Sequence, residues 1–227
     1  MKITYIGHSS FSVETEKSIF IFDYFKGELP DIPADKQVVV FASHGHPDHY
    51  DPVIFTLLKE QGVAPDRILA VLDKTIRRNK CPEEIRTIKM LAHTAFSMED
   101  GTLVESLLST DRGVAFLLTT GEGVIYHGGD LNDWYWEGEP EQDNRSMTGR
   151  YRAEIDRIRG RAVDVAFVPL DPRQEDAYAR GMLYFLKQVP AKQVFPMHYW
   201  EKPETIDRFL REYPAYEAVI ENPENYR

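Results

Sequence analysis

The chain has 227 residues, 37 acidic and 27 basic, giving a formal net charge of −10, with 42% apolar and 28% charged residues. That balance excludes wholesale disorder and collagen-like or low-complexity architectures, and it leaves enough chain to bury a sizeable core. The acidic excess argues against a non-specific nucleic-acid coat, which needs clustered Lys and Arg, and no run nears the ~18 apolar residues of a membrane span. Cys81 is the only cysteine, so an intramolecular disulfide and a cysteine-based zinc cage are both excluded. The opening residues pass straight into a strand pattern, without the charged and apolar regions of an export signal, so a cytoplasmic location is expected.

Ile3 and Tyr5, Phe11 and Val13, and Ile19 and Ile21 recur at period two, separated by Gly7-His8-Ser9-Ser10 and Thr15-Glu16-Lys17. The uninterrupted run Val38-Val39-Val40-Phe41 reads as a strand buried on both faces. Asp51-Pro52 then opens a helix, with Ile54, Leu57 and Leu58 on one face and Gly62 as its stop. Strands return at Ile68–Leu72, Thr102–Leu108, Val114–Thr119 and Val124–His127, the last two joined by a hairpin turn at Gly121-Glu122-Gly123. Glu137–Glu141 and Asn144–Gly149 read as a long mobile loop. Beyond residue 150, helix alternates with strand. Tyr151, Ile155 and Ile158 share a helical face, and Ala162–Val168 is an apolar strand. Tyr178, Met182, Phe185, Leu186 and Val189 mark a second helix, and Val194-Phe195 a short strand. Ile206, Phe209, Leu210 and Tyr213 mark a last helix. Packed sheets covered by helices, within one domain, are the simplest architecture for this pattern.

The segment that carries chemistry follows the Val38–Phe41 strand. His44, His46, Asp48 and His49 fall within six residues, and imidazole with carboxylate is the donor set that suits zinc and other borderline divalent ions. Gly45 lets the backbone turn tightly and Pro47 stiffens it, so His44 and His46 can converge while Asp48 and His49 aim at a neighbouring point. Two further strand ends offer candidates. Val124–His127 runs through Gly128-Gly129 into Asp130, a carboxylate of the sort that bridges two cations. Phe195-Pro196-Met197 ends in His198.

Asp23 after a strand, the His-x-His-x-Asp-His block, Gly-Gly-Asp after a strand and a late strand-end histidine together resemble the metallo-β-lactamase superfamily. The opening Ile3-Thr4-Tyr5-Ile6-Gly7-His8-Ser9-Ser10-Phe11 and the strand ending in Asp23 are similar to the branch that includes the ascorbate-6-phosphate lactonases. The resemblance implies an α/β (α+β) fold, an αββα sandwich of two mixed sheets packed face to face with helices outside, with metals along one edge. It implies that His44 and His46 hold a first metal, that Asp48, His49 and His198 hold a second, and that Asp130 bridges them. Asp23 would stand behind a ligand histidine and orient it, and His8 is assigned a similar supporting place. One departure stands out. The family's usual third histidine of the first metal has no counterpart in Leu108-Ser109-Thr110-Asp111-Arg112-Gly113. The expected order of explanations is an incomplete first site, then Asp111 as a substitute oxygen ligand, then His8 reaching in. Strand parity turns His127 away from Asp130, and nothing argues for His93.

One or two divalent ions, zinc foremost with manganese or iron as alternatives, would supply hydroxide at neutral pH, with Asp48 orienting it or accepting its proton. A metal-dependent hydrolase of a small ester, lactone or phosphoester is therefore the leading expectation. Trp134 and Trp136, just past Asp130, could wall a substrate pocket or form a homo-oligomer contact. Arg173 could clamp an anionic group or simply pair with Asp171 or Glu175. The oxygen-reducing diiron members of the family carry Glu where this chain has His46, which argues against them. A single-iron thiol dioxygenase and a metal-bound sensor are the alternatives.

Overall fold

A computed structural model describes all 227 residues. The first sheet is built from β1 (Lys2–Gly7), β2 (Ser10–Glu14), β3 (Ser18–Phe22), β4 (Gln37–Ala42), β5 (Ile68–Asp73) and β6 (Arg86–Met90), side by side in that order. Its first three strands are antiparallel and the rest run parallel to β3. The second sheet runs from β7 (Ala95–Ser97) through β8 (Leu103–Leu108), β9 (Val114–Thr120), β10 (Gly123–His127) and β11 (Val163–Pro169) to β12 (Ala191–Met197). Here β7 to β10 are antiparallel neighbours, and β10, β11 and β12 are parallel. Helix α1 (Val53–Glu60) packs on the first sheet. Helices α2 (Glu141–Asp156), α3 (Arg180–Gln188) and α4 (Glu204–Glu212) contribute side chains to the larger core with the second sheet. This is the expected sandwich of two mixed sheets.

Period-two patterning decides which side chain enters which core. Phe20, Phe22, Val39 and Phe41 point between the sheets, into the larger apolar core. Ile19, Ile21, Val38 and Val40 point the other way, against Ile54, Phe55 and Leu58 of α1. The sheets meet through aromatic contacts: Phe11 on Phe167 at 4.2 Å, Phe41 on Phe116 at 5.0 Å, and Phe22 stacked on His127 at 5.0 Å between ring centres. His127 is thus an inter-sheet side chain; Nε2 lies 2.9 Å from the Ser9 carbonyl, and Nδ1 accepts from the Gly129 N–H. His93 lies apart from the strand ends described below and pairs with Glu154.

Three readings change. The expected mobile loop over 137–149 is largely helix, because α2 begins at Glu141, directly after Pro140 and with Glu141 and Asp143 in its first turn, which suits a helix N-terminus. Its first two turns are almost wholly polar, so no apolar period announces them. Strands β6 and β7 carry no clear alternating run and emerge only through pairing with β5 and β8. The short strand read at Val194-Phe195 runs from Ala191 to Met197 and includes Pro196, a place proline tolerates because β12 is an edge strand. No helix is long and apolar enough to cross a membrane.

Chain direction matters most for function. β1, β3, β4, β10, β11 and β12 all end at one edge of the sandwich, and the residues that follow them include His8, Asp23, the His44–His49 block, Asp130, Asp171 and His198. Ligand sites of open α/β sheets form outside the carboxyl ends of parallel strands for the same reason. Glycine makes the close approach of the two sheets possible there. A Cβ on Gly113, whose φ is +73°, would lie 1.9 Å from the Ser43 carbonyl oxygen and 2.7 Å from His44 Cβ. Gly113→Ala is therefore expected to lose about 1–3 kcal/mol of stability by overpacking. Gly149→Ala, in an exposed turn of α2 with open space around it, should gain roughly 0.5–1 kcal/mol. Denaturant unfolding of the two variants checks both signs.

Candidate metal centre

Two groups of donors converge at this edge. His44, His46 and Asp130 each offer one atom within 4.8 Å of the others, and so do His8, Asp48, His49 and His198. Asp130 stands between them: Oδ2 is 3.3 Å from His44 Nε2, while Oδ1 is 3.1 Å from His49 Nε2 and 3.4 Å from His198 Nε2. Each carboxylate oxygen thus faces one group, the geometry a bridging ligand needs.

Three of the five rings are held from behind. His49 Nδ1 is 2.8 Å from Asp23 Oδ2, and Asp23 also accepts from the Ser43 backbone N–H at 2.7 Å and from Ser43 Oγ at 2.6 Å. Because the Ser43 hydroxyl proton goes to Asp23, His44 Nδ1, 3.1 Å from that hydroxyl, is the donor of the pair. His198 Nδ1 lies 3.0 Å from Asp171 Oδ2. In each case the carboxylate or hydroxyl takes the Nδ1 proton and turns Nε2 toward the centre. Burial pushes His8 down to about 3 and His44 down to about 4, with neighbouring imidazoles adding to the effect, so both rings are neutral donors of electron pairs at pH 7. Burial would raise the Asp23 carboxyl, but His127 and the bond from His49 outweigh it and keep it ionised. His49 goes the other way. Burial disfavours its charge, yet Asp130 and Asp23 on either side hold it well above the ordinary histidine value in the metal-free protein.

The fit to a cation shows in what these atoms lack. His8 Nε2, His44 Nε2, His49 Nε2 and Asp130 Oδ1 are all buried without a hydrogen-bond partner. Leaving a buried polar atom unsatisfied costs about 1–3 kcal/mol, so four such atoms facing one another call for a shared partner. The donor set, imidazole and carboxylate, suits a divalent cation.

A cavity of about 330 Å³ opens onto this centre, lined on its floor by His46, Asp48, Asp130 and His198. All three tryptophans of the chain line its walls. Trp134 and Trp136 stack at 6.0 Å, and Trp200 lies beside His8 at 4.7 Å. The wall is fixed in place: Trp134 donates to the Asp130 carbonyl, and Asn144 of α2 bonds both the N–H and the carbonyl of Trp136. The helical start of α2, read from sequence as a mobile stretch, is what pins this wall.

Two assignments need correction. His8 does not reach the first group; it clusters with Asp48, His49 and His198 of the second. Asp111 is exposed, lines the cavity and belongs to neither donor group. Arg173 also lines the cavity, but its Nε and Nη2 are bound to Asp171 and its guanidinium stacks on Trp200 at 4.4 Å. Its charge is therefore already countered. The residue that sequence reasoning passed over is Asp171, fully buried, which accepts from His198, Arg173 and the Trp200 indole. These donors hold its carboxyl well below the usual range although burial opposes this. The available signal was its position two residues past an apolar strand, one residue further out than Asp23 stands from its own.

The arrangement defines an αββα sandwich with a histidine–carboxylate centre at one edge. A family model described as a beta-lactamase superfamily domain matches residues 2–142, and the chain belongs to that superfamily. A protein named as a metal-dependent hydrolase from Brucella ovis is 25% identical over 241 aligned residues, covering 97% of this chain and 96% of its own. Among solved structures, a metallo hydrolase from Ignicoccus hospitalis is similar with a TM-score of 0.67 at 18% identity, covering 97% of this chain and 93% of its own. A metallo-beta-lactamase fold protein from Bacillus subtilis is similar with a TM-score of 0.60 at 11% identity, covering 97% and 96%.

Asp171→Asn keeps the shape of the side chain but removes its charge and one of its two acceptor oxygens, so it can no longer accept from His198, Trp200 and Arg173 together. It is expected to weaken zinc binding by about 10–100-fold, read by competition with a chromophoric chelator. Unchanged affinity would contradict the role given to this carboxylate.

Proposed function

We propose that the chain is a metal-dependent hydrolase of a small ester, lactone or phosphoester. His44, His46, Asp48, His49, Asp130 and His198 are the residues that would hold one or two divalent cations, and zinc best matches the donors, with manganese and iron as alternatives. The observation that carries this reading is the set of buried, unpartnered donor atoms directly beneath a tryptophan-walled cavity. The named activity of the Brucella relative supports it. When bound, a divalent cation polarises a carbonyl or phosphoryl oxygen and makes water acidic enough to supply hydroxide at neutral pH.

The protein's own groups do the rest. Asp48 is half-buried, lines the cavity and makes no hydrogen bond to the protein, so the carboxylate oxygen that is not turned to a cation would orient an attacking water and take its proton. Trp134 and Trp136 give the substrate a rigid apolar surface and exclude water from the floor. Arg173 retains Nη1 as a donor to a substrate oxygen; with its charge shared by Asp171 it acts as an orienting hydrogen bond more than as a strong anion clamp. The volume limits the substrate to a small molecule.

The test is chelation followed by reconstitution. Turnover across a panel of small esters, lactones and phosphodiesters should be lost after chelation and return with added zinc or manganese, and Trp134→Ala should raise KM more than it lowers kcat. Turnover that survives complete metal removal would overturn the reading.

A further inference from the structure

The two donor groups are unequal, and the inequality centres on His8. We propose that His8 is itself a metal ligand, that the position it shares with Asp48, His49 and His198 is the tight one, and that the position of His44, His46 and Asp130 is the weaker, open one. This rests on the reading of the site as a metal centre but goes beyond it, by assigning a ligand and an order of affinity.

His8 is 6% exposed, its Nε2 has no hydrogen-bond partner, and that atom lies 3.7 Å from Asp48 Oδ2. Its ring packs among the other rings of its group, 4.5 Å from His198 and 5.8 Å from His49 between centres. A histidine buried only to fill space would have its ring nitrogen satisfied by a neighbour, as His127 does with the Ser9 carbonyl. The backbone supports a positioned side chain as well. His8 has φ +54°, its N–H bonds the Tyr5 hydroxyl at 2.9 Å, and Trp200 covers the ring from outside. A residue with a side chain stays in the left-handed region only where its surroundings over-determine it.

Donor counting gives the order. The second position has three imidazoles and Asp48, and Asp130 Oδ1 turns toward it as well, enough protein donors to make a closed set around a cation held there. The first position has two imidazoles and one oxygen of Asp130, three donors, which leaves a fourth place vacant. Closed sets are characteristic of tightly held ions, and three-donor sets with an open place are characteristic of ions that meet substrate. Relative to the family pattern expected from sequence, one imidazole has moved from the first position to the second, from the 109–113 loop to the end of β1.

The decisive measurement is the imidazole count at the first equivalent of bound cobalt(II), by X-ray absorption on the unmodified chain, with zinc titration of variants beside it. Three imidazoles at the first equivalent support the assignment, and two overturn it. His8→Asn, a residue that tolerates positive φ, should weaken the tighter binding step by about tenfold or more and leave the weaker step unchanged. His46→Asn should affect the weaker step alone. If His8→Asn leaves both steps unchanged, His8 is not a ligand, although the metal centre stands. If the unmodified chain takes up no zinc or cobalt, the metal-centre reading and this assignment fall together.

Discussion

Ring nitrogens and carboxylate oxygens with their lone pairs turned toward one another, out of reach of water, are held together at cost unless a positive charge lies among them. This protein places four such atoms without partners at one edge of its sandwich. Much else in the structure serves to keep them there: the common direction of six strands, the glycines that let the second sheet approach the histidine loop, and the carboxylates that grip the rings from behind. Desolvation makes each donor more costly to leave alone and more strongly attracted to a cation when one arrives.

The support is divided between the sheets. Asp23, at the end of β3 in the first sheet, fastens Ser43 and His49 and through Ser43 reaches His44. Asp171, past the end of β11 in the second, fastens His198, Trp200 and Arg173. One buried carboxylate therefore sets two of the three rings of the histidine block, His44 and His49, and the other links a candidate ligand to the wall against which a substrate would lie. Asp130 joins the halves, since its two oxygens face rings on both sides. The aromatic wall is equally over-determined. Asn144 and Thr148 of α2, Gln174 and Arg180 all bond the 132–136 segment, so the cavity is shaped before any ligand enters.

Most of the fold was legible because its strands alternate or run apolar without break, and periodicity is a local property that sequence carries directly. Val38–Phe41, Val114–Thr119 and Val124–His127 fall where the pattern puts them. The histidine block was legible for a different reason, the density of scarce donors at a strand end. What could not be read depended on distant neighbours. The start of α2 has no apolar face of its own until Tyr151, and it is held by Trp136 and Asp133. Strands β6 and β7 are defined by their partners. His8 was read as part of a turn and as a supporting group, or one reaching toward the first metal, because nothing local reveals that the end of β1 lies against His198, 190 residues further along the chain. Asp171 was seen as a pair for Arg173, which it is, but its bond to His198 is a fact of tertiary placement.

Anomalous diffraction from crystals grown with zinc, recorded on both sides of the zinc absorption edge, tests the central claim most directly. The account predicts density among His8, Asp48, His49, His198 and Asp130, with a second, lower-occupancy peak beside His44 and His46 as zinc is made limiting. A fully zinc-exposed crystal with these side chains in place and no anomalous peak between them would contradict it.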